Sequence, residues 1–358
     1  DKSLIKIFSI NFLIFLIGIL LIEIFFGYWF SDHGFGPYMR EHRLKKNRVV
    51  LTYNDTQYNY FYKRNYYGFR GEEMDPSEIE AVMIGGSTTD ERYIPEEFTI
   101  TNNLNSLLKN KGYNFKITNA GIEAQSTVGH IYNFRYWFPK LKNFSPKLYI
   151  FYVGINDYGF KKGQDEYWNF GGDGHVKNPE AHEVFFDTLK SKSFIYDKLR
   201  IIKQKYYSTD KTNRFNLKCD KKSFELKKGR PYEYINYEEA LKLHDVKKLK
   251  IEHQEIIDKY LNRIKILNNY VEKNNSKAIF INQVMANGIK IDKLFILNYA
   301  LIEYCKDSNI HCIDLASKLD GEYKYWCDSV HTSPLGSRIV AETVIDDLVK
   351  IIKKENLF

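Results

Sequence analysis

Apolar residues are arranged in two different ways along this chain. Near the N-terminus they run almost unbroken: Phe8 to Ile22 carries no charge, and after Glu23 the run resumes through Phe30. The stretch from about Leu4 to Phe30 exceeds the roughly 20 residues that cross a hydrocarbon core. No polar face appears between Ile7 and Ile22, which disfavours a buried soluble helix. A cleavable signal peptide would want a small-residue cleavage site; large aromatic residues follow instead, and Tyr28 and Trp29 suit a membrane interface. A retained single-pass anchor over residues 1–30 is the favoured reading. Glu23 is costly there unless it snorkels or meets a partner, such as a second protein's helix in the membrane.

From Ile79 the pattern changes to short apolar runs alternating with helical spacing. Ala81–Ile84, Phe115–Thr118, Leu148–Val153, Ala278–Val284 and Ile310–Leu315 read as five strands. Thr101–Leu108, Thr127–Leu141, Glu238–Asn274, Leu294–Asp307 and the segment opened by Ser333-Pro334 read as helices. Strands separated by helices predict an α/β domain, residues 79–358, with a parallel sheet covered on both faces. Two stretches lack this rhythm. Residues 31–78 are polar, aromatic and irregular, with Gly34, Gly36 and Pro37 as breakers, and read as a membrane-proximal connector. A long insertion occupies about 160–275, where Gly171-Gly172-Asp173-Gly174 breaks the pattern.

Composition narrows the classes. Of 358 residues, 44% are hydrophobic and 27% charged, which excludes a disordered chain and a polytopic transporter. Four cysteines exclude a disulfide-stapled miniprotein, and no spacing tells whether or how Cys219, Cys305, Cys312 and Cys327 pair. The net charge of +8 is modest and dispersed, and calls for no nucleic acid. Arg40, Arg43, Lys45, Lys46 and Arg48 follow the apolar run, against Lys2 and Lys6 before it. Counted alone, this places the domain in the cytoplasm, yet long domains translocate largely regardless of charge. The basic residues can equally face anionic headgroups. The cluster Tyr58, Tyr60, Phe61, Tyr62, Tyr66 and Tyr67 suits either packing or a sugar-facing surface.

In an open parallel sheet, sites form beyond the carboxyl ends of the strands. Those ends carry Gly85-Gly86-Ser87-Thr88-Thr89, Asn119-Ala120-Gly121, Gly154-Ile155-Asn156-Asp157 and, past the fifth strand, Asp328-Ser329-Val330-His331. Acyl transfer needs this set. Ser87 is a weak nucleophile until His331 takes its proton, and Asp328 would fix the His331 tautomer. The Ser87 N–H, the Gly121 N–H and the Asn156 amide could meet the oxyanion. A zinc reading of Asp328 and His331 with Cys327 or Cys312 is weaker, because no CxxC pair or second His joins them. His130, His244 and His253 read as surface residues. Gln283 reads as a pocket residue or a loop-capping amide. A dinucleotide site is disfavoured because Gly85-Gly86-Ser87 lacks the G-x-G-x-x-G spacing. A nucleophile elbow is disfavoured because no G-x-S-x-G ends a strand.

These four motifs, in order on successive strand ends, resemble the SGNH (GDSL-like) hydrolase family: Ser87 in GGST, Gly121 in NAG, Asn156 in GIND and His331 in DSVH, with Asp328 three residues earlier. Asn65-Tyr66-Tyr67-Gly68-Phe69-Arg70-Gly71 is similar to the N-x-x-G-F-R-G lead-in of membrane-anchored members. The resemblance covers roughly residues 79–157 and 278–353. It departs in having GGST for GDS and in the long insertion, so no substrate pocket carries over. It implies a flavodoxin-like three-layer α/β/α sandwich and a membrane-anchored serine esterase or O-acyltransferase that needs no cofactor or metal. The implied substrate is an O-acyl group, such as O-acetyl, on an envelope glycan or lipid-linked saccharide. The implied location is the outer face of the membrane. The other class of reading is a non-catalytic subunit that binds a glycan or a membrane partner.

Overall fold

A computed structural model describes residues 2–30, 39, 42–160, 181–209, 214–219, 237–286, 292–319 and 322–357. The breakers Gly34, Gly36, Pro37 and Gly171–Gly174, and Arg40, lie outside the described residues. Helix α1 (Lys2–Phe26) contains a 24-residue stretch, Ser3–Phe26, long and apolar enough to cross a membrane. Its apolar side chains are exposed all round, as the absence of a polar face requires. Glu23 neither snorkels nor waits for another protein: its carboxylate accepts from Ser193 Oγ at 2.7 Å and from Trp29 Nε1 at 3.0 Å.

The connector is less irregular than its sequence suggests. Strands β1 (Lys46–Tyr53) and β2 (Thr56–Lys63) form an antiparallel hairpin closed by Asn54 and Asp55, both at positive φ (47° and 60°). Two left-handed residues match the strand twist, and Asn and Asp tolerate that conformation. Asp55 stands where glycine usually signals such a turn, which hid the hairpin. The Tyr cluster is a period-two strand face: Tyr58, Tyr60 and Tyr62 alternate along β2. Tyr62 donates to Asp90 Oδ1 at 2.8 Å and Tyr60 to the Arg92 carbonyl at 3.1 Å, so the cluster packs.

The main sheet contains β3 (Ala81–Gly85), β4 (Ile117–Asn119), β5 (Leu148–Val153), β7 (Lys277–Asn282) and β8 (His311–Ile313), all parallel, in the order β4-β3-β5-β7-β8. By position in this sheet that is 2-1-3-4-5, the flavodoxin-like arrangement, which reverses between β3 and β5. Every residue of β3 and β5 is buried, which is why both read as continuous apolar runs. Helix α2 (Ser87–Asp90) is a single turn after β3; α3 (Ile100–Asn110) packs with the last helix, α11 (Pro334–Lys354). On the opposite face, α9 (Gln254–Lys273) packs with α4 (Thr127–Tyr132) and α10 (Asp292–Ser308). The result is a three-layer α/β/α sandwich.

Two expected helices are broken. The one over 127–141 leaves α-geometry after Tyr132, passes through a π-turn at Asn133–Trp137 and tightens at Phe138–Lys140, where Pro139 cannot continue the hydrogen-bond ladder. The one over 238–274 divides into α7 (Tyr237–Leu243), α8 (Val246–Glu252) and α9, because Asp245 caps a new start by accepting from the Lys248 N–H at 3.1 Å. Within the insertion, α5 (Ala181–Lys192), α6 (Phe194–Thr209) and β6 (Arg214–Cys219) are described. β6 pairs in parallel with β1, making a second sheet in the order β2-β1-β6. The four cysteines form two disulfides, Cys219–Cys327 and Cys305–Cys312.

Candidate active site

Each candidate side chain is delivered by the end of a strand. β3 stops at Gly85, and Gly86 turns the chain so that Ser87 opens α2. A Cβ on Gly86 would lie 2.1 Å from Asn156 Nδ2, so only glycine permits this approach. β5 stops at Val153, and Gly154 at φ 128° redirects the chain toward Asn156, whose Nδ2 donates to the Gln125 carbonyl at 2.7 Å. After β4, Gly121 packs against α2, where a Cβ would lie 2.2 Å from the Asp90 nitrogen. Past β8, Asp328 and His331 sit in a loop held by the Trp326–Thr332 bridge and by the Cys327 N–H donating to the His331 carbonyl at 2.8 Å.

These loops bring Ser87, His331 and Asp328 into one line. Ser87 Oγ lies 2.9 Å from His331 Nε2, and His331 Nδ1 lies 2.8 Å from Asp328 Oδ2. The other oxygen of Asp328 accepts from the Val330 and His331 N–H groups at 2.8 and 2.7 Å, which fixes the carboxylate. Burial works to raise the Asp328 pKa. The hydrogen bond and charge of His331, with the two N–H groups, outweigh burial and hold it at about 2. The ionised carboxylate keeps a proton on Nδ1 and leaves Nε2 to accept from the Ser87 hydroxyl. Tyr93 stands edge-on to the imidazole, with ring centroids 6.3 Å apart.

The three expected oxyanion donors differ in their commitments. The Ser87 N–H, at the first position of α2, donates to no described group. Asn156 spends one amide hydrogen on Gln125 and has a second. The Gly121 N–H donates to Asn119 Oδ1 at 2.9 Å. Cys327 and Cys312, the thiols a zinc reading would enlist, are each in a disulfide. No group of three or more potential metal ligands occurs among the described residues.

Beneath this line lies a buried polar layer that sequence reasoning missed. Arg64 Nη1 contacts Asp90 Oδ1 at 2.8 Å and the Gly121 carbonyl at 2.7 Å, tying the Ser87 turn to the Gly121 turn. Glu91 follows α2; it accepts from the Ile100 N–H at 2.7 Å and from the Thr332 and Ser337 hydroxyls, joining that turn to the His331 loop and α11. Only the N-x-x-G-F-R-G segment signalled any of this. Its Arg70 side chain donates to the carbonyls of Asp90 and Ile94 and pairs with Glu96 at 2.8 Å. Gln283 is a strut: Nε2 donates to Thr88 Oγ1 and Oε1 accepts from the Ile155 N–H, both at 2.7 Å. Asp157 of GIND is buried and accepts from the Thr127 N–H and hydroxyl and from Arg263, which serves α4. Two histidines expected on the surface are buried. His130 is 1% exposed, and burial pushes its imidazole down to about 3; His244 lies against the Phe295 ring.

No family model matches the chain, and no curated protein matches it. Among solved structures it is similar to that of TesA, with 10% identity, 75% of this chain and 97% of that chain covered, and a TM-score of 0.43. It is similar to the esterase EstA from Pseudoalteromonas sp., with 10% identity, coverage of 76% and 99%, and a TM-score of 0.42. A third is an acetyl xylan esterase, with 12% identity, coverage of 75% and 98%, and a TM-score of 0.41.

Proposed function

We propose that this chain is a membrane-anchored serine esterase or O-acyltransferase. The observation that carries the reading is the unbroken line from Ser87 Oγ through His331 to Asp328, with contacts of 2.9 and 2.8 Å. His331 Nε2 takes the hydroxyl proton as Ser87 Oγ attacks the ester carbonyl. The Ser87 N–H and the second Asn156 amide hydrogen stabilise the oxyanion. Collapse expels the alkoxide, which receives the proton from His331 and leaves an acyl-Ser87 ester. Water then releases the acyl group as an acid, or a sugar hydroxyl accepts it; His331 activates either one.

The substrate is an O-acyl group, such as O-acetyl, on an envelope glycan or lipid-linked saccharide. Two features support this. Ser87, Tyr93, Ile94, Leu217, His331 and Thr332 help line a narrow cavity of about 10 Å³, scarcely the space of one water molecule, which favours a small acyl group over a long chain. The apolar α1 is suited to hold the domain beside membrane-borne substrates. The domain faces the outside of the membrane; two disulfides support an oxidising compartment.

The test is labelling of the full chain with a fluorophosphonate, alongside hydrolysis of an aryl acetate. Labelling at Ser87, with loss of both labelling and turnover in Ser87→Ala, is the expected result. Folded protein that does not label would sink the assignment and favour the non-catalytic binding subunit; a variant that keeps more than about a tenth of the rate, roughly 1.4 kcal/mol of barrier, would remove Ser87 as the nucleophile.

A further inference from the structure

The anomalous acid of α1 marks where the rest of the chain meets it. Glu23 accepts from Ser193 Oγ at 2.7 Å and from the N–H groups of Phe194 and Ile195 at 3.1 and 3.0 Å. It therefore caps the start of α6 from another helix. The Tyr28 N–H donates to the Lys192 carbonyl at 2.8 Å, and the Phe26 and Phe194 rings lie 5.5 Å apart. The bend between α5 and α6 is thus pinned to the end of α1. From Ser3 to Glu23 a helix rises about 30 Å, close to the thickness of a hydrocarbon core, about 30 Å. That rise puts the bend at one boundary of the bilayer.

Both helices leave the bend with apolar side chains uncovered. Val184, Phe185, Phe186 and Leu189 of α5 and Leu199 and Ile202 of α6 are exposed, Leu199 at 59% and Ile202 at 62%. On α6, Ile195, Leu199 and Ile202 recur at helical spacing and form one stripe. The other side of α6 faces protein: Asp197 is buried, and Arg200 donates to the Arg43 carbonyl at 2.9 Å. Lys190, Lys192, Lys198 and Lys203 accompany the stripe, against Glu183 and Asp187 in α5 and the buried Asp197 in α6. An apolar stripe with flanking lysines is the composition of a helix that lies in a headgroup layer. A patch of this kind marks an interaction surface, and its continuity with the end of α1 selects lipid as the occupant.

We infer that α5 and α6 form a second, surface-lying membrane contact that seats the domain against anionic lipid where α1 leaves the bilayer. The inference rests on α1 being a membrane span. Strand β1 packs against α6. Arg43, expected among headgroup-facing residues, is instead buried on the Tyr66 ring and beside Asp197, so it links α6 to the connector.

The test uses the full chain in vesicles of phosphatidylethanolamine and phosphatidylglycerol carrying a tagged lipid. A photoreactive benzoylphenylalanine replaces one residue at a time: Phe186, Leu199, Leu16 in α1, or the exposed Ile251 of α8. Lipid adducts at positions 186, 199 and 16 but not 251 are expected. Adducts at 16 with none at 186 and 199, or with protein–protein adducts there, overturn the inference and leave the anchor standing. No lipid adduct at 16 removes the anchor, and the inference with it.

Discussion

Arg64 and Asp90 form a buried ion pair with Nη1 and Oδ1 2.8 Å apart, directly beneath the Ser87 turn. Neither charge has access to bulk water, and Arg64 also holds the Gly121 carbonyl. Removing one partner strands the other charge, which costs about 3–5 kcal/mol. Arg64→Ala should therefore lower the melting temperature of the full chain sharply. The paired change Arg64→Met with Asp90→Leu should restore part of it, since both charges then go. A melting temperature unchanged in Arg64→Ala would show that the pair is not what fastens these turns.

Asn156 is expected to act mainly on the transition state. Its Nδ2 already bonds the Gln125 carbonyl, which aims the amide. Asn156→Ala should reduce kcat by roughly 10²–10³ with little change in KM. Equal losses in kcat and binding would assign Asn156 to substrate positioning instead. Full activity in the variant would remove it from the site.

Glu91 should give the protein a distinctive pH dependence. Burial drives its carboxyl up to about 7, against the hydrogen bonds of Ser337, Ile100 and Thr332 and the charge of Arg70. A raised folded-state pKa means the folded form binds the proton more tightly. Its stabilising contribution is full below the ordinary carboxyl value of about 4.3 and is lost as pH rises through about 7. Glu91→Gln keeps a neutral group there at every pH. The stability of the variant relative to the parent should increase from about pH 5 to about pH 8, by up to about 3 kcal/mol. Parallel stability–pH curves for the two proteins would refute this.

The Cys219–Cys327 disulfide fastens β6 to the residue before Asp328, and β6 supplies Leu217 to the cavity beside Ser87. It closes a loop with a sequence separation of 108. Its chain-entropy contribution is on the order of 4–5 kcal/mol. Replacing both cysteines by serine should lower the melting temperature and reduce aryl-acetate turnover by about tenfold or more, at least 1.4 kcal/mol. The same exchange at Cys305 and Cys312, whose separation is 7, should cost less stability and leave turnover near normal. Identical effects from the two pairs would show that the bond near Asp328 has no special hold on the site.

The sheet and the rim of the candidate site could be read from local pattern alone. β3 and β5 are apolar at every position but the terminal Gly85, so they had to be central strands. Ser333-Pro334 had to open a helix, because the serine caps and the proline lacks the N–H that a first turn leaves unused. Ser87, Gly121, Asn156, Asp328 and His331 were legible because each follows a strand, and a parallel sheet gathers such positions on one edge. Local patterns of this kind carry their information within a few residues. Features that depend on distant partners emerged with the fold. Arg64, Asp90 and Glu91 look like ordinary surface charges until folding encloses them, and His130 looks polar until α4 carries it into the core. The pairing of Cys219 with Cys327 depends on β6 joining β1 across the chain. Glu23 is an error in an apolar run until Ser193 and the start of α6 arrive, 170 residues later, to donate hydrogen bonds to its carboxylate. A charge's worth is set by what surrounds it, and those surroundings come from the fold.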